Sequence, residues 1–262
     1  MNILNIGISH QIIRQIKQLK KHPQKEFAVV EDLATFQYLK DDGQDLKVFI
    51  YCQQLIHSQQ ALQLKEYFIK HSVEVYEISN KVYEAITEKN NAAGFIAIVE
   101  QHYVDLNSIN PDDYPFIVVG DGLENPGNLG TLIRTCDATK VDLLITCNEI
   151  SKLSSPKVLA ASRGMVLLKN KASCDYDQVQ RFLLDNGYTI YLGEPKLGKD
   201  YQKYSYQGRV AIVVGNERFG ITPSWYDHKH EKVFVPMSGI MESLNVSVAA
   251  SILIYEAYMK RK

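Results

Sequence analysis

At 262 residues, with 45% hydrophobic, 23% charged and 10% aromatic residues, the chain is long enough for one large domain or two smaller ones, and too ordinary for disorder or a disulfide scaffold. Its net charge of −1 gives no overall support to a nucleic-acid partner, and no apolar run reaches the roughly eighteen residues needed to cross a membrane. Cys52, Cys136, Cys147 and Cys174 are far apart and form no C-x-x-C pair, so they read as reduced thiols of a cytoplasmic protein, with no metal site. The N-terminus, MNILNIGISHQ, lacks a charged start followed by an apolar core and does not read as a secretory signal. In chain order, the first feature is a local excess of charge: residues 1–25 hold Arg14, Lys17, Lys20, Lys21 and Lys25 and no acid. Such a cluster can bind phosphate, or can be the solvated face of a helix. Apolar and alternating runs predict strands at 27–31, 47–51, 73–78 and 94–99, with helical patterns near 9–21, 32–40, 59–70 and 81–88 between them. This first third therefore reads as a small α/β unit, 1–100. QHYVDLNSINPDD, at 101–113, is rich in Asn, Asp and Pro and reads as a linker to a second domain, 114–262.

In that second domain, strands are predicted at 116–119, 142–146, 189–192, 210–214 and 232–235, apolar on both faces as in a covered parallel sheet. Helices alternate with them at 128–139, 155–161, 175–186 and 243–259, which predicts an α/β fold. Ligands of such sheets bind on the loops at the carboxyl ends of the strands. Three of these loops stand out: GDGLENPGNLG (120–130), GNERFGIT (215–222) and PMSGIMESLN (236–245). Each is rich in Gly, Asn or Ser, which expose backbone amides and permit close approach. Neither common nucleotide signature is present: Gly120 and Gly122 begin a G-x-G-x-x-G that fails at Asn125, and Gly215–Gly220 is followed by Ile221-Thr222 instead of Lys-Ser/Thr.

Helical spacing after the first loop puts Leu129, Leu132, Ile133 and Cys136 on a buried face and Asn128, Thr131, Arg134 and Thr135 opposite. Asn128 is placed to cap the helix or to reach a ligand, and Ser243 and Asn245 to cap the last helix. That last helix, VSVAASILIYE, is apolar or small on nearly every side, so burial all round is expected.

In order and spacing, ENPGNLGTLIRTCDA, VVGNERFGI and VPMSGIMESLNVSVAASILIYE resemble the three motifs of the SpoU/TrmH class of RNA 2′-O-ribose methyltransferases, over about residues 115–258. The N-terminal third resembles the L30e-like RNA-binding extension of ribosomal-RNA members, through the basic helix before EFAVVED and through NNAAGFIAIVE. The resemblance implies a SPOUT fold with a deep C-terminal trefoil knot, S-adenosylmethionine as cofactor, no metal, and a homodimer. It also implies a reactive cluster of Asn128, Arg134, Glu217, Ser243 and Asn245, and a cofactor pocket using Leu192, Gly193, Gly215, Asn216, Val235, Met237 and Leu244. The expected activity is methyl transfer to a ribose 2′-hydroxyl of RNA, ribosomal RNA before transfer RNA. The alternatives are the same chemistry on transfer RNA, or a non-catalytic RNA-binding or ribosome-assembly protein that keeps the fold. Lys140 departs from the pattern, standing where a Gly commonly follows the first motif's helix, as do Glu31-Asp32 and Gln24-Lys25 in the N-terminal third.

Overall fold

In the computed structural model, which describes residues 3–87 and 93–262, the chain folds as two compact units, Met1–Gln101 and His102–Lys262. The end of the helix expected at 81–88 and the Asn90-Asn91-Ala92 part of NNAAGFIAIVE lie outside the described residues.

The first unit runs β1 (Leu4–Asn5), α1 (Gln11–Lys21), β2 (Phe27–Val30), α2 (Leu33–Asp41), β3 (Leu46–Tyr51), α3 (Gln59–Lys70), β4 (Ser72–Glu77), α4 (Asn80–Glu84) and β5 (Phe95–Glu100). Its five-stranded sheet has the order β1-β4-β3-β5-β2. The β3–α3–β4 unit is parallel, while β5 runs antiparallel to both β3 and β2. α1 buries Ile12, Ile13, Ile16 and Leu19 against Val48, Ile50, Ile96 and Ile98 of the sheet, leaving its basic side outward.

The second unit runs β6 (Phe116–Asp121), α5 (Pro126–Ala138), β7 (Leu143–Cys147), α6 (Pro156–Ala161), α7 (Met165–Leu168), β8 (Lys171–Ser173), α8 (Tyr176–Asp185), β9 (Thr189–Gly193), β10 (Lys199–Asp200), β11 (Val210–Val214), β12 (Glu231–Phe234) and α9 (Val246–Arg261). The seven strands pair in parallel in the order β10-β12-β9-β11-β6-β7-β8. Val119, Ile145, Leu192 and Val213 share a core with Val179, Phe182 and Leu183 of α8 and with Trp225. The short strands β1, β8 and β10 have no apolar run to announce them, which is why sequence pattern passes over them. Residues 102–113 count with the second unit: Leu106 is buried in its core, and the Val104 N–H donates to the Lys171 carbonyl at 2.8 Å.

Two expectations about helix faces need correction. Thr135 is buried rather than outward, because its hydroxyl shares a 2.8 Å hydrogen bond with Ser251 of α9. Conversely, α9 is not covered on all sides: Val248, Tyr255 and Met259 are 47%, 47% and 60% exposed. They fall on one stripe of the helix, the side turned from the buried Leu253, Ile254 and Ala257.

Candidate functional site

Strand order decides where the site forms. β6 is flanked by β7 and β11, and the chain leaves it first toward β7 and β8 and later toward β9 and β11 on the other side. Loops leaving neighbouring carboxyl ends in opposite directions open a crevice at that point. The loops after β6, β11 and β12 gather there.

The loop after β6 enters α5 through Asn125, whose side chain accepts the Gly127 N–H at 2.7 Å, followed by Pro126 in the first turn. The helix therefore begins earlier than the expected 128, and Asn128 is not its cap. The Asn128 amide instead donates to Glu217 Oε1 at 2.8 Å and accepts from the Asn245 amide at 3.0 Å. Asn245 does cap α9, its Oδ1 accepting the Ser247 N–H at 2.9 Å and the Ser247 hydroxyl at 2.7 Å. One hydrogen-bonded chain, Glu217–Asn128–Asn245, thus ties all three loops together. Glu217 also accepts the N–H groups of Glu124 at 3.0 Å and Asn125 at 3.1 Å. Burial works against its charge, but the Asn128 amide and these main-chain donors outweigh it and hold its carboxyl below the usual carboxylate range.

Two residues that motif reading did not assign a positioning role fix the loops. Asp121, 1% exposed at the end of β6, accepts from the Asn148 amide at 2.7 Å and from the Thr222 N–H at 2.7 Å. The Asn216 side chain donates to the Gly122 carbonyl at 2.8 Å and accepts the N–H groups of Arg218 and Phe219. The detectable signal for Asp121 was an acid closing an otherwise apolar strand.

Beside this network lies a cavity of about 480 Å³, walled by Gly193, Gly215, Asn216, Val235, Met237 and Leu244, with Glu217, Ser243 and Asn245 also facing it. Gly215 is required by packing, since a Cβ there would sit 2.3 Å from the Gly220 carbonyl carbon. Leu192 is the exception among the expected pocket residues: its side chain is fully buried in the sheet core and does not line the cavity. Apolar walls with a few polar groups among them suit an adenosyl ligand of a flat base and a hydroxyl-bearing sugar.

The SpoU rRNA Methylase family model matches residues 115–255, more than half of the chain. The chain belongs to the SpoU methylase family. Over 153 residues, 56% of this chain and 60% of the relative, it is 35% identical to a Staphylococcus epidermidis protein named as a TrmH family tRNA/rRNA methyltransferase. The match thus spans about 60% of the length of that curated relative. Among solved structures, the AdoMet-bound rRNA methyltransferase from Sinorhizobium meliloti superposes with a TM-score of 0.84 at 26% identity, covering 97% of each chain. The SpoU methyltransferase AviRb from Streptomyces viridochromogenes is alike in fold, with a TM-score of 0.81 at 20% identity over 96% of this chain and 98% of that one.

Not every residue expected from the SpoU motifs joins the cluster. Arg134 is exposed, lies outside the cavity wall, and makes no hydrogen bond or ion pair among the described residues. It stands nearly two turns beyond Asn128, about 9 Å along the axis of α5, and takes no part in the hydrogen-bonded network. In the first unit, Arg14, Lys17 and Lys21 share the exposed face of α1, and Lys25 is exposed beyond its end. Lys20 is engaged within the unit, paired with Glu31 and donating to the Ile86 carbonyl, and the exposed Arg14 guanidinium donates to the Ser9 carbonyl from Nε at 3.1 Å and Nη2 at 2.8 Å. Among the described residues no cluster of His, Cys, Asp or Glu could hold a metal ion, and no helix is long and apolar enough to cross a membrane.

Proposed function

We propose that this chain transfers a methyl group from S-adenosylmethionine to a ribose 2′-hydroxyl of RNA, with ribosomal RNA as the substrate, in the cytoplasm. The observation that carries this reading is the Glu217–Asn128–Asn245 chain at the mouth of the cavity. The Sinorhizobium relative, bound to AdoMet and alike along both units, supports the cofactor and ribosomal RNA. When bound, the cofactor supplies an already activated methyl group on a sulfonium. The protein has then to align the acceptor oxygen, which takes the methyl as the C–S bond breaks, and to help its proton leave.

Asn245 and Ser243 line the acceptor side of the cavity, while Asn128, outside the cavity wall, holds the Asn245 amide and is itself held by Glu217. Glu217 serves as an anchor for Asn128 and is a poor base, because its ionised form is already stabilised by several donors. Arg134 is no base either, since a guanidinium keeps its proton far above neutral pH. Its role is to grip the phosphate next to the reacting ribose, in a bidentate hold that neutralises charge there.

In this reading Arg134 serves the reactive centre of a second copy, in a homodimer in which the exposed stripe of α9 is covered. The first unit, with Arg14, Lys17 and Lys21 outward, acts as the RNA-binding extension, and the trefoil knot expected for SPOUT enzymes belongs to the same reading. The test is incubation with methyl-labelled S-adenosylmethionine and, separately, ribosomal and transfer RNA lacking modifications, followed by digestion to nucleosides. Label in a 2′-O-methylnucleoside from ribosomal RNA is the expected result. Label on a base would refute ribose chemistry, and label confined to transfer RNA would move the substrate.

A further inference from the structure

One acid in the cavity wall has no part in the reaction described above. Glu194 directly follows β9, and its N–H donates to the Val233 carbonyl at 2.8 Å, which pins it beside β12. It lines the cavity next to Gly193, where an added Cβ would meet the Val213 carbonyl oxygen at 3.2 Å, Leu253 Cδ1 at 3.3 Å and Val214 Cγ1 at 3.5 Å. β9 also stands one strand further from β6 than β11 does, so Glu194 lies on the far side from Asn128 and its network.

Glu194 Oε1 accepts the Tyr226 hydroxyl, while among the described residues no protein donor reaches Oε2 and no cation pairs with the carboxylate. Tyr226 is well placed as a support. It sits in the short turn Pro223–Asp227 beside the buried Trp225, crosses the His230 ring at 5.6 Å, and has Lys232 Nζ 4.8 Å from its centroid. Burial, and then the bond to Glu194, push its phenol well above the ordinary tyrosine range, so it remains a donor. A carboxylate with one oxygen held by the protein and acceptor positions left over is suited to a pair of neighbouring hydroxyls. Glu217, the other acid facing the cavity, already has its donors from the protein.

We propose that Glu194, oriented by Tyr226, binds the adenosyl ribose by accepting hydrogen bonds from its vicinal 2′- and 3′-hydroxyls. This rests on the cofactor reading above. Glu194 is a binding residue and Tyr226 a positioning residue. Calorimetric titration of the full chain with 5′-methylthioadenosine, with its 2′,3′-dideoxy analogue and with S-adenosylhomocysteine tests it. Glu194→Gln is expected to weaken 5′-methylthioadenosine about tenfold, in line with loss of hydrogen bonds to a charged acceptor, and to leave the dideoxy analogue unchanged. Tyr226→Phe should show the same pattern more weakly, with an unchanged melting temperature.

Equal losses for both nucleosides would overturn the proposal, because the residue would then only shape the pocket. Loss confined to S-adenosylhomocysteine would overturn it too, assigning Glu194 to the amino-acid ammonium. A wild-type chain that binds none of the three would defeat the cofactor reading itself, a result that needs no variant.

Discussion

Arg134 and Lys171 are opposite cases of a cation in this fold. Arg134 is exposed and without a partner among the described residues, although it lies in the first SpoU motif. If it grips substrate phosphate, Arg134→Ala lowers methyl transfer about a hundredfold or more, while affinity for S-adenosylhomocysteine is unchanged. Equal loss of both in a calorimetric and turnover comparison would remove it from the substrate side. Lys171 is 1% exposed on β8, its Nζ has no hydrogen-bond partner among the described residues, and it lies 5.0 Å from the centroid of the Tyr103 ring. Burial lowers its pKa to about 8. Between that value and the ordinary lysine pKa the unfolded chain binds more protons than the folded one, so stability rises with pH across this window and the full penalty applies below it. Lys171→Met should stabilise the protein at pH 7 by about 1–3 kcal/mol. Urea melts at pH 7 and near pH 10 check this, and the gain should shrink at the higher pH.

At the scale of elements, α5 carries most of the site and shows what its sequence could and could not disclose. Helical periodicity put the start of this helix at Asn128, whereas Asn125 caps it. Pro126 makes Asn125 the better cap, since a proline in the first turn loses no hydrogen bond, and this frees Asn128 for Glu217. Further along, Gly130 packs directly on α6, where an added Cβ would lie 2.4 Å from the Ala161 Cβ. At the other end Lys140 adopts φ 52°, a left-handed conformation that glycine takes without strain. This explains physically why the resemblance led us to expect a Gly there. Lys140→Gly should raise stability by about 1 kcal/mol in a thermal or denaturant melt, with methyl transfer unchanged. A decrease would mean the lysine side chain supports the turn.

At the scale of the whole molecule, the outward stripe of Val248, Tyr255 and Met259 on α9 is an apolar surface that the second unit leaves open, as are Phe219, Ile240 and Met241 on the loops after β11 and β12. With a second copy covering the α9 stripe, Tyr255→Asp shifts the protein from dimer toward monomer in sedimentation, and turnover falls with it because Arg134 loses the partner's centre. A monomeric wild type would overturn that arrangement. Deleting residues 1–101 tests the division of labour between the two units. Affinity for RNA should drop while affinity for S-adenosylhomocysteine holds, and equal loss of both would deny the first unit a separate RNA role.

Local information was enough for the longer elements and the motifs. The strand at 210–214 and the helix at 59–70 appear as expected, because side-chain periodicity reports which face is buried. The loops after β6, β11 and β12 were legible as a candidate site because Gly, Asn and Ser at strand ends have a recognisable chemistry. What local information could not settle were the partners of each polar side chain. Asn128 joins Glu217 across 89 positions of chain and Asn245 across 117, and Asp121 reaches Thr222 across 101. Lys20 turned out to face Glu31 instead of solvent, and Leu192 the core instead of the cavity. Periodicity tells a residue's side of its own helix or strand, whereas a hydrogen-bond partner is chosen by which loops the sheet order brings together, and strand order exists only in the folded chain.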